Sequence, residues 1–223
     1  MTSLRSLSKR IDMNTGPTQS GHPRNETFPL RLFVAVILPD DVRAALHRVQ
    51  VRLRNAMDSV AWVCAGNMHL SLAFLGEQPP ARADGITAVL DRAASSVSPF
   101  SLRVRGTGFF GRPDAPRVIW AGVEADDDLA VLHSNLTVGL RSLGIPVETR
   151  PFHPHITLGR IKRWRPGSRV SDVFPKEEPF GGAVTVTSIH LMKSTLDPGG
   201  AIYESLHESR LGLHRAEDSH AQA

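Results

Sequence analysis

The sequence predicts a mixed helix-and-strand fold built by duplication, with a pseudo-two-fold relation between its halves. Two observations carry this. From Leu30 onward, strand-length apolar runs alternate with amphipathic helical stretches. The order also repeats: His69 falls 38 residues after Arg31, which opens RLFVAVI, and His155 falls 38 residues after Arg117, which opens RVIWAGV. Each half runs strand, helix, then a strand that begins His-x-Ser/Thr-Leu, and a repeat of that kind marks a duplicated architecture.

Residues 1–29 are rich in Ser, Thr, Gly, Pro and Arg and read as a disordered arm. Arg and Ser are frequent there and acids few, as in a transit peptide, but Leu4, Leu7 and Ile11 give only a weak apolar face. Leu30 to Leu38 is a buried strand. Pro39 and Asp40 then open a helix, with Asp40 as its cap and Val42, Leu46, Val49 and Leu53 on its inner face. Val60 to Cys64 is a short strand, and His69 to Leu75 another, ended by Gly76. Residues 82–97 form a second helix, with Ile86, Val89, Leu90, Ala93 and Val97 inward.

Phe100 to Val104 and Arg117 to Val123 are strands. Asp126, Asp127 and Asp128 start a third helix, at the end where the helix dipole favours acids. Leu129, Leu132, Leu136, Leu140 and Leu143 make its stripe, and Gly144 ends it. A strand from Phe152 to Ile161, an irregular segment over 162–182 and a strand from Ala183 to Met192 follow. The folded domain is taken as residues 30–213, and 214–223 as a disordered tail.

Formal net charge is +4, with Arg far outnumbering Lys. Arg suits bidentate contact with phosphate, although codon bias produces the same excess, so charge permits an anionic substrate without requiring one. No apolar run approaches the roughly 20 residues that span a bilayer, so no membrane association is expected. The single cysteine, Cys64, lies in the apolar stretch Val60 to Ala65 and reads as a buried, inert thiol. A reducing compartment fits, and a cytoplasmic location is expected.

The chemistry lies in the repeated motif, His69-Leu70-Ser71-Leu72 and His155-Ile156-Thr157-Leu158. On a strand, residues i and i+2 share a face. His69 therefore projects with Ser71, and His155 with Thr157, while Leu70 and Ile156 point to the core. Facing each other across a groove, these side chains make a four-point polar site. Opening a cyclic phosphodiester in line needs a base for water and an acid for the departing sugar oxygen. Two histidines titrating near neutrality can do both, and hydroxyls can donate to the phosphate oxygens. No metal or other cofactor is required. A zinc site made from His69, His153 and His155 would leave the Ser/Thr partners unexplained.

These motifs, with RLFVAVILP at 31–39, NMHLSLAFLGE at 67–77, VIWAGV at 118–123, FHPHITLGRIK at 152–162 and LMKSTLDPGGAIYESL at 191–206, resemble the 2H phosphoesterase superfamily. More narrowly the chain resembles the RNA 2′,3′-cyclic phosphodiesterases, formerly called 2′-5′ RNA ligases. The resemblance implies a bilobal α+β fold with antiparallel sheets lining a central cleft and helices outside. It implies metal-independent hydrolysis of 2′,3′-cyclic phosphate ends of RNA, or of cyclic nucleotides, to 2′-phosphomonoesters, with reversible 2′-5′ ligation at the same site. By position, His69, Ser71, His155 and Thr157 match the family's tetrad. Arg160 matches a basic residue near the phosphate, and Phe33 an aromatic position near the nucleotide. The resemblance also makes His155 the base and His69 the acid. Competing readings are a phosphodiesterase acting on 2′-5′ oligoadenylate or ADP-ribose cyclic phosphate, and a noncatalytic RNA-end binding module. A monomer is expected.

Lesser candidates surround the site. His153 reads as a rim residue and His190 as structural. Arg163, Arg165 and Arg169 form a basic segment, with Trp164 available to stack on a base or to pack.

Overall fold

The computed structural model describes residues 28–55, 57, 59–164 and 179–212. Of the expected arm over 1–29, residues 1–27 lie outside the described residues, as do the tail over 214–223, Arg165 and Arg169. The elements are β1 (Leu30–Ile37), α1 (Asp40–Arg54), β2 (Val60–Trp62), β3 (His69–Gln78), α2 (Ala83–Ser95), β4 (Phe100–Arg112), β5 (Ala115–Ala125), α3 (Asp127–Ser142), β6 (His155–Ile161), β7 (Pro179–Val186), β8 (Ser188–Asp197) and β9 (Gly200–Arg210). Among the described residues no helix is long and apolar enough to cross a membrane.

The strands form one antiparallel sheet in the order β7-β4-β5-β6-β3-β1-β8-β9, with β2 added against β6. The fold is the expected α+β one, with its two sheets joined into a single curled surface. Its middle is a single pair, Leu70 opposite Ile156. On one side of that junction lie β3, β1, β8 and β9; on the other lie β6, β5, β4 and β7. The pseudo-two-fold therefore carries β3 onto β6 and β1 onto β5. The lobes do not coincide with the halves of the chain, because β8 and β9 return to the first lobe.

One face of the sheet is covered by helices. Val42, Leu46, Val49 and Leu53 of α1, Ile86, Val89 and Leu90 of α2, and Leu129, Leu132, Leu136 and Leu140 of α3 are buried in one core with Leu70, Ile156 and Leu191. The opposite face carries a smaller apolar group, Phe33, Ala35 and Met192, with Tyr203 packed on it.

Several expectations are corrected. Asp40 is the first helical residue of α1 rather than its cap, a place taken by Pro39, and its carboxylate pairs with Arg43. Gly76 does not end β3: at φ 69° it pairs with Leu32 just after a bulge whose extra residue is Leu75, and the strand continues to Gln78. The strand expected over 183–192 is two strands at opposite ends of the sheet, β7 on β4 and β8 on β1. The inward positions slip phase there, from Val184 and Val186 to Ile189 and Leu191. Cys64 is exposed, because β2 stops at Trp62 and leaves it in the link to the turn over Ala65–Asn67.

Candidate active site

The junction pair places the site. His69 and Ser71 flank Leu70, and His155 and Thr157 flank Ile156; Leu70 and Ile156 are buried on the helix side. By strand alternation the four polar side chains stand on the open face. The antiparallel register puts His69 on the Thr157 side of the junction and His155 on the Ser71 side. The two imidazoles are near enough for the charge of His155 to oppose protonation of His69.

Each ring is held in the same way. His69 Nδ1–H donates to the Asn67 carbonyl at 2.7 Å, and His155 Nδ1–H to the His153 carbonyl at 2.7 Å. This fixes the tautomer and leaves Nε2 of each ring for chemistry. The Ser71 hydroxyl lies 2.9 Å from His69 Nε2. Aromatic rings wall the site. Phe33 lies 4.9 Å from His69 and Tyr203 meets it edge-on at 5.4 Å. Phe110 meets His155 edge-on at 4.7 Å.

Burial pushes the His69 imidazole below its ordinary value; the bond to Asn67 opposes this, and the charge of His155 adds to it. Burial lowers His155 as well; the bond to the His153 carbonyl opposes the shift, and the charges of His153 and Arg160 reinforce it. Both imidazoles are thus held toward the neutral form.

Both strands carry a bulge just after the motif. Ser71 pairs with Ala35 and Ala73 with Val34, so Leu72 is the extra residue; Thr157 pairs with Trp120 and Gly159 with Ile119, so Leu158 is the extra one. In each strand the bulge shifts the alternation by one. Leu72 and Ala73 are both buried and Phe74 is exposed; Leu158 and Gly159 are both buried and Arg160 is exposed. Strict parity would have put Arg160 behind the sheet. Gln50, wholly buried on α1, donates its amide to the carbonyls of Leu158 at 2.7 Å and Val63 at 2.8 Å.

The structure thus brings His69, Ser71, His155, Thr157 and Arg160 onto one face. Phe33 is on that face too, but at 3% exposure it lies beneath His69, Phe74 and Tyr203. His153 is an exposed residue ahead of β6 that contributes its carbonyl. Arg163 is exposed, and Trp164 packs partly against the core. His190 sits between the hydroxyls of Ser188 and Ser205, at 3.2 and 3.1 Å. Among the described residues no three His, Cys, Asp or Glu side chains gather as a metal ion would need.

Sequence reasoning missed Tyr203, Phe110, Asn67, Gln50 and Phe74. Tyr203 lies on β9, which follows a strand-turn-strand signal, Asp197-Pro198-Gly199-Gly200, that marks a hairpin. Asn67 also donates its side-chain amide to the Ala201 carbonyl at 2.6 Å, tying that hairpin to the turn that holds His69.

Fold and site together define a duplicated α+β protein whose lobes each supply one imidazole and one hydroxyl to a shared cleft. The chain belongs to the 2′-5′ RNA ligase superfamily, whose model matches residues 38–198. It is 38% identical over 202 residues to an RNA 2′,3′-cyclic phosphodiesterase of Thermus thermophilus, covering 87% of this chain and 95% of that one. Among solved structures it resembles TT0787 of Thermus thermophilus, with TM-score 0.72 and 36% identity over 83% of this chain and all of that one. It also resembles Escherichia coli LigT complexed with 3′-AMP, with TM-score 0.66 and 28% identity over 82% of this chain and 98% of that one.

Proposed function

We propose that this chain is a hydrolase that opens 2′,3′-cyclic phosphate ends of RNA, or cyclic nucleotides, to 2′-phosphomonoesters. The observation that carries this is the pair of imidazoles in one cleft, each pinned through Nδ1 to the carbonyl two residues earlier. Such a pair can take one proton and give another across a phosphorus atom.

The step balances with two proton transfers. His155 Nε2 accepts a proton from water as its oxygen bonds to phosphorus. The bond from phosphorus to O3′ breaks, and His69 Nε2–H supplies the proton that O3′ needs. The hydroxyls of Ser71 and Thr157 and the guanidinium of Arg160 donate to the nonbridging oxygens as charge builds. Neutral His69 Nε2 accepts from the Ser71 hydroxyl. Once protonated, it donates to that oxygen, and the hydroxyl hydrogen turns to the phosphate. An anionic phosphate between the rings favours the charged form of His69 that burial disfavours. Replacing water by a sugar hydroxyl runs the same site as a 2′-5′ ligation.

We further propose that the folded unit spans residues 30–213, that it acts as a monomer in the cytoplasm, and that it uses no metal. Turnover of 2′,3′-cyclic AMP in excess EDTA, with the product identified as the 2′-phosphate, is the expected result. Loss of turnover in EDTA, or release of a 3′-phosphate, would refute this reaction.

A further inference from the structure

The place beside each imidazole is filled differently in the two lobes. On the open face His69 has Ile37 of β1 as its cross-strand partner, 37% exposed, whereas His155 has Gly122 of β5. Gly122 has no room for a side chain, because a Cβ there would come within 2.6 Å of the Arg105 carbonyl. The Trp120 indole walls this bare step, 3.6 Å from the same point. Beyond it, on β4, Arg105 pairs with Gly122, so His155, Gly122 and Arg105 form one row across three strands. Two strand spacings, about 10 Å, separate the ends of the row. Arg105 is half-exposed, and its contact with Glu124, at 3.7 Å, is a loose one. Arg103 is the cross-strand partner of Glu124, and β7, on the other side of β4, brings no charged residue. Two guanidiniums therefore share one carboxylate, and the row ends in surplus positive charge. A water molecule entering beside His155 needs neither the bare step nor the charge.

We propose that this row seats the nucleoside whose 5′-oxygen joins or leaves phosphorus in 2′-5′ ligation and its reversal, with Arg105 on the phosphate attached to that nucleoside's O3′. This rests on the phosphodiesterase reading, in which His155 handles the proton of the entering oxygen. A 5′-hydroxyl in place of water brings its whole nucleoside to the His155 side, where Gly122 leaves space and Arg105 stands further along. In the cleaving direction the step balances. The 3′-hydroxyl oxygen bonds to phosphorus and gives its proton to His69 Nε2. The bond from phosphorus to O5′ breaks, and His155 Nε2–H supplies the proton that O5′ needs. The products are a 2′,3′-cyclic phosphate and a free 5′-hydroxyl. The next phosphate of the departing strand is then an anion at the cationic end of the row, and a guanidinium holds it through paired N–H donors.

Three substrates test this: 2′,3′-cyclic AMP, the 2′-5′ linked dimer of adenosine, and the same dimer with a phosphate on the O3′ of its second nucleoside. The wild-type protein should cleave the phosphorylated dimer with the higher kcat/KM. Arg105→Gln should lower the ratio of kcat/KM for the phosphorylated dimer over that for the plain one by roughly 3- to 15-fold, between the worth of an exposed ion pair and that of a charge-assisted hydrogen bond. Arg105→Lys, which keeps the charge, should retain more of the ratio. No preference in the wild type, a ratio that Arg105→Gln leaves alone, or equal damage from Arg105→Lys and Arg105→Gln would overturn the seat. So would turnover of 2′,3′-cyclic AMP with neither dimer cleaved, an outcome that leaves the hydrolase reading standing. A wild-type protein inert on all three would instead sink that reading, and this inference with it.

Discussion

The first lobe and the second share one backbone device and equip it differently. In both, a strand starts at the histidine, a carbonyl two residues earlier holds its Nδ1, and a bulge after the hydroxyl residue exposes the side chain three positions beyond that residue. Around His69 the walls are Phe33 and Tyr203, with Phe74 beyond. Around His155 they are Phe110 and the charges of His153 and Arg160. Duplication supplies the matching geometry of two imidazoles on one face. The residues that differ make the surroundings of one imidazole apolar and those of the other partly cationic.

The strongest way to break this comparison is to remove either ring. His69→Ala and His155→Ala should each cost at least about 10² in rate on a cyclic nucleotide, since a positioned acid or base is worth 10²–10⁴. A substrate with a much better leaving group then separates them. His69→Ala should recover much of its rate there, and His155→Ala should not. Recovery of His155→Ala alone would reverse the roles; recovery of neither would mean that the rings chiefly bind phosphate.

Arg160→Gln comes next. Losing a charge-assisted contact to phosphate should reduce kcat/KM by roughly 10- to 150-fold, from about 1.5–3 kcal/mol. It also removes a charge that holds His155 down, so the limb of the pH profile set by His155 should move to higher pH. A limb that stays in place would remove Arg160 from the surroundings of His155.

Gln50→Leu should destabilise the fold by about 1–3 kcal/mol in urea unfolding, by stripping a donor from the buried Leu158 and Val63 carbonyls. Unchanged stability would mean that the second bulge does not depend on it.

The gentlest probe is pH. His69, His155, His133 and His190 all titrate below their ordinary value of 6.5 in the fold, each chiefly through burial. Below pH 6.5 the unfolded chain therefore binds more protons than the folded one, so stability should fall as pH drops through that value and be flat just above it. Catalysis gives a second reading of the same shifts. The optimum of kcat/KM, which reports the free enzyme, should lie at lower pH than that of kcat, because bound phosphate raises both imidazoles. Coincident optima would argue against a phosphate lying between them.

The shared face of His69, Ser71, His155 and Thr157 was legible because alternation on a strand is rigid and the motif occurs twice at one spacing. The helices were legible from their apolar stripes. What escaped detection depends on breaks in periodicity. The position of Arg160 on the open face depends on a bulge that no pattern of apolar residues announces. The split between β7 and β8 was written as a slip between Val186 and Ile189, but a continuous run of strand formers hid it. β9 is an edge strand whose one buried side chain is Ser209, so alternation gave no signal, although the turn before it did. The resemblance put Phe33 near the nucleotide; its burial beneath three rings is a property of packing, which one sequence does not display.

The tie from Asn67 to Ala201 bears on how the protein comes into being. β1 finds one partner in β3 nearby, but its other partner is β8, where Ala35 meets His190. A ribosome that has delivered both histidines has not yet delivered Ala201, whose carbonyl anchors Asn67, or Tyr203, which screens His69. Pairings of such long range close late. The nascent chain therefore holds both histidines before it holds the carbonyl that ties Asn67 or the ring that meets His69 edge-on.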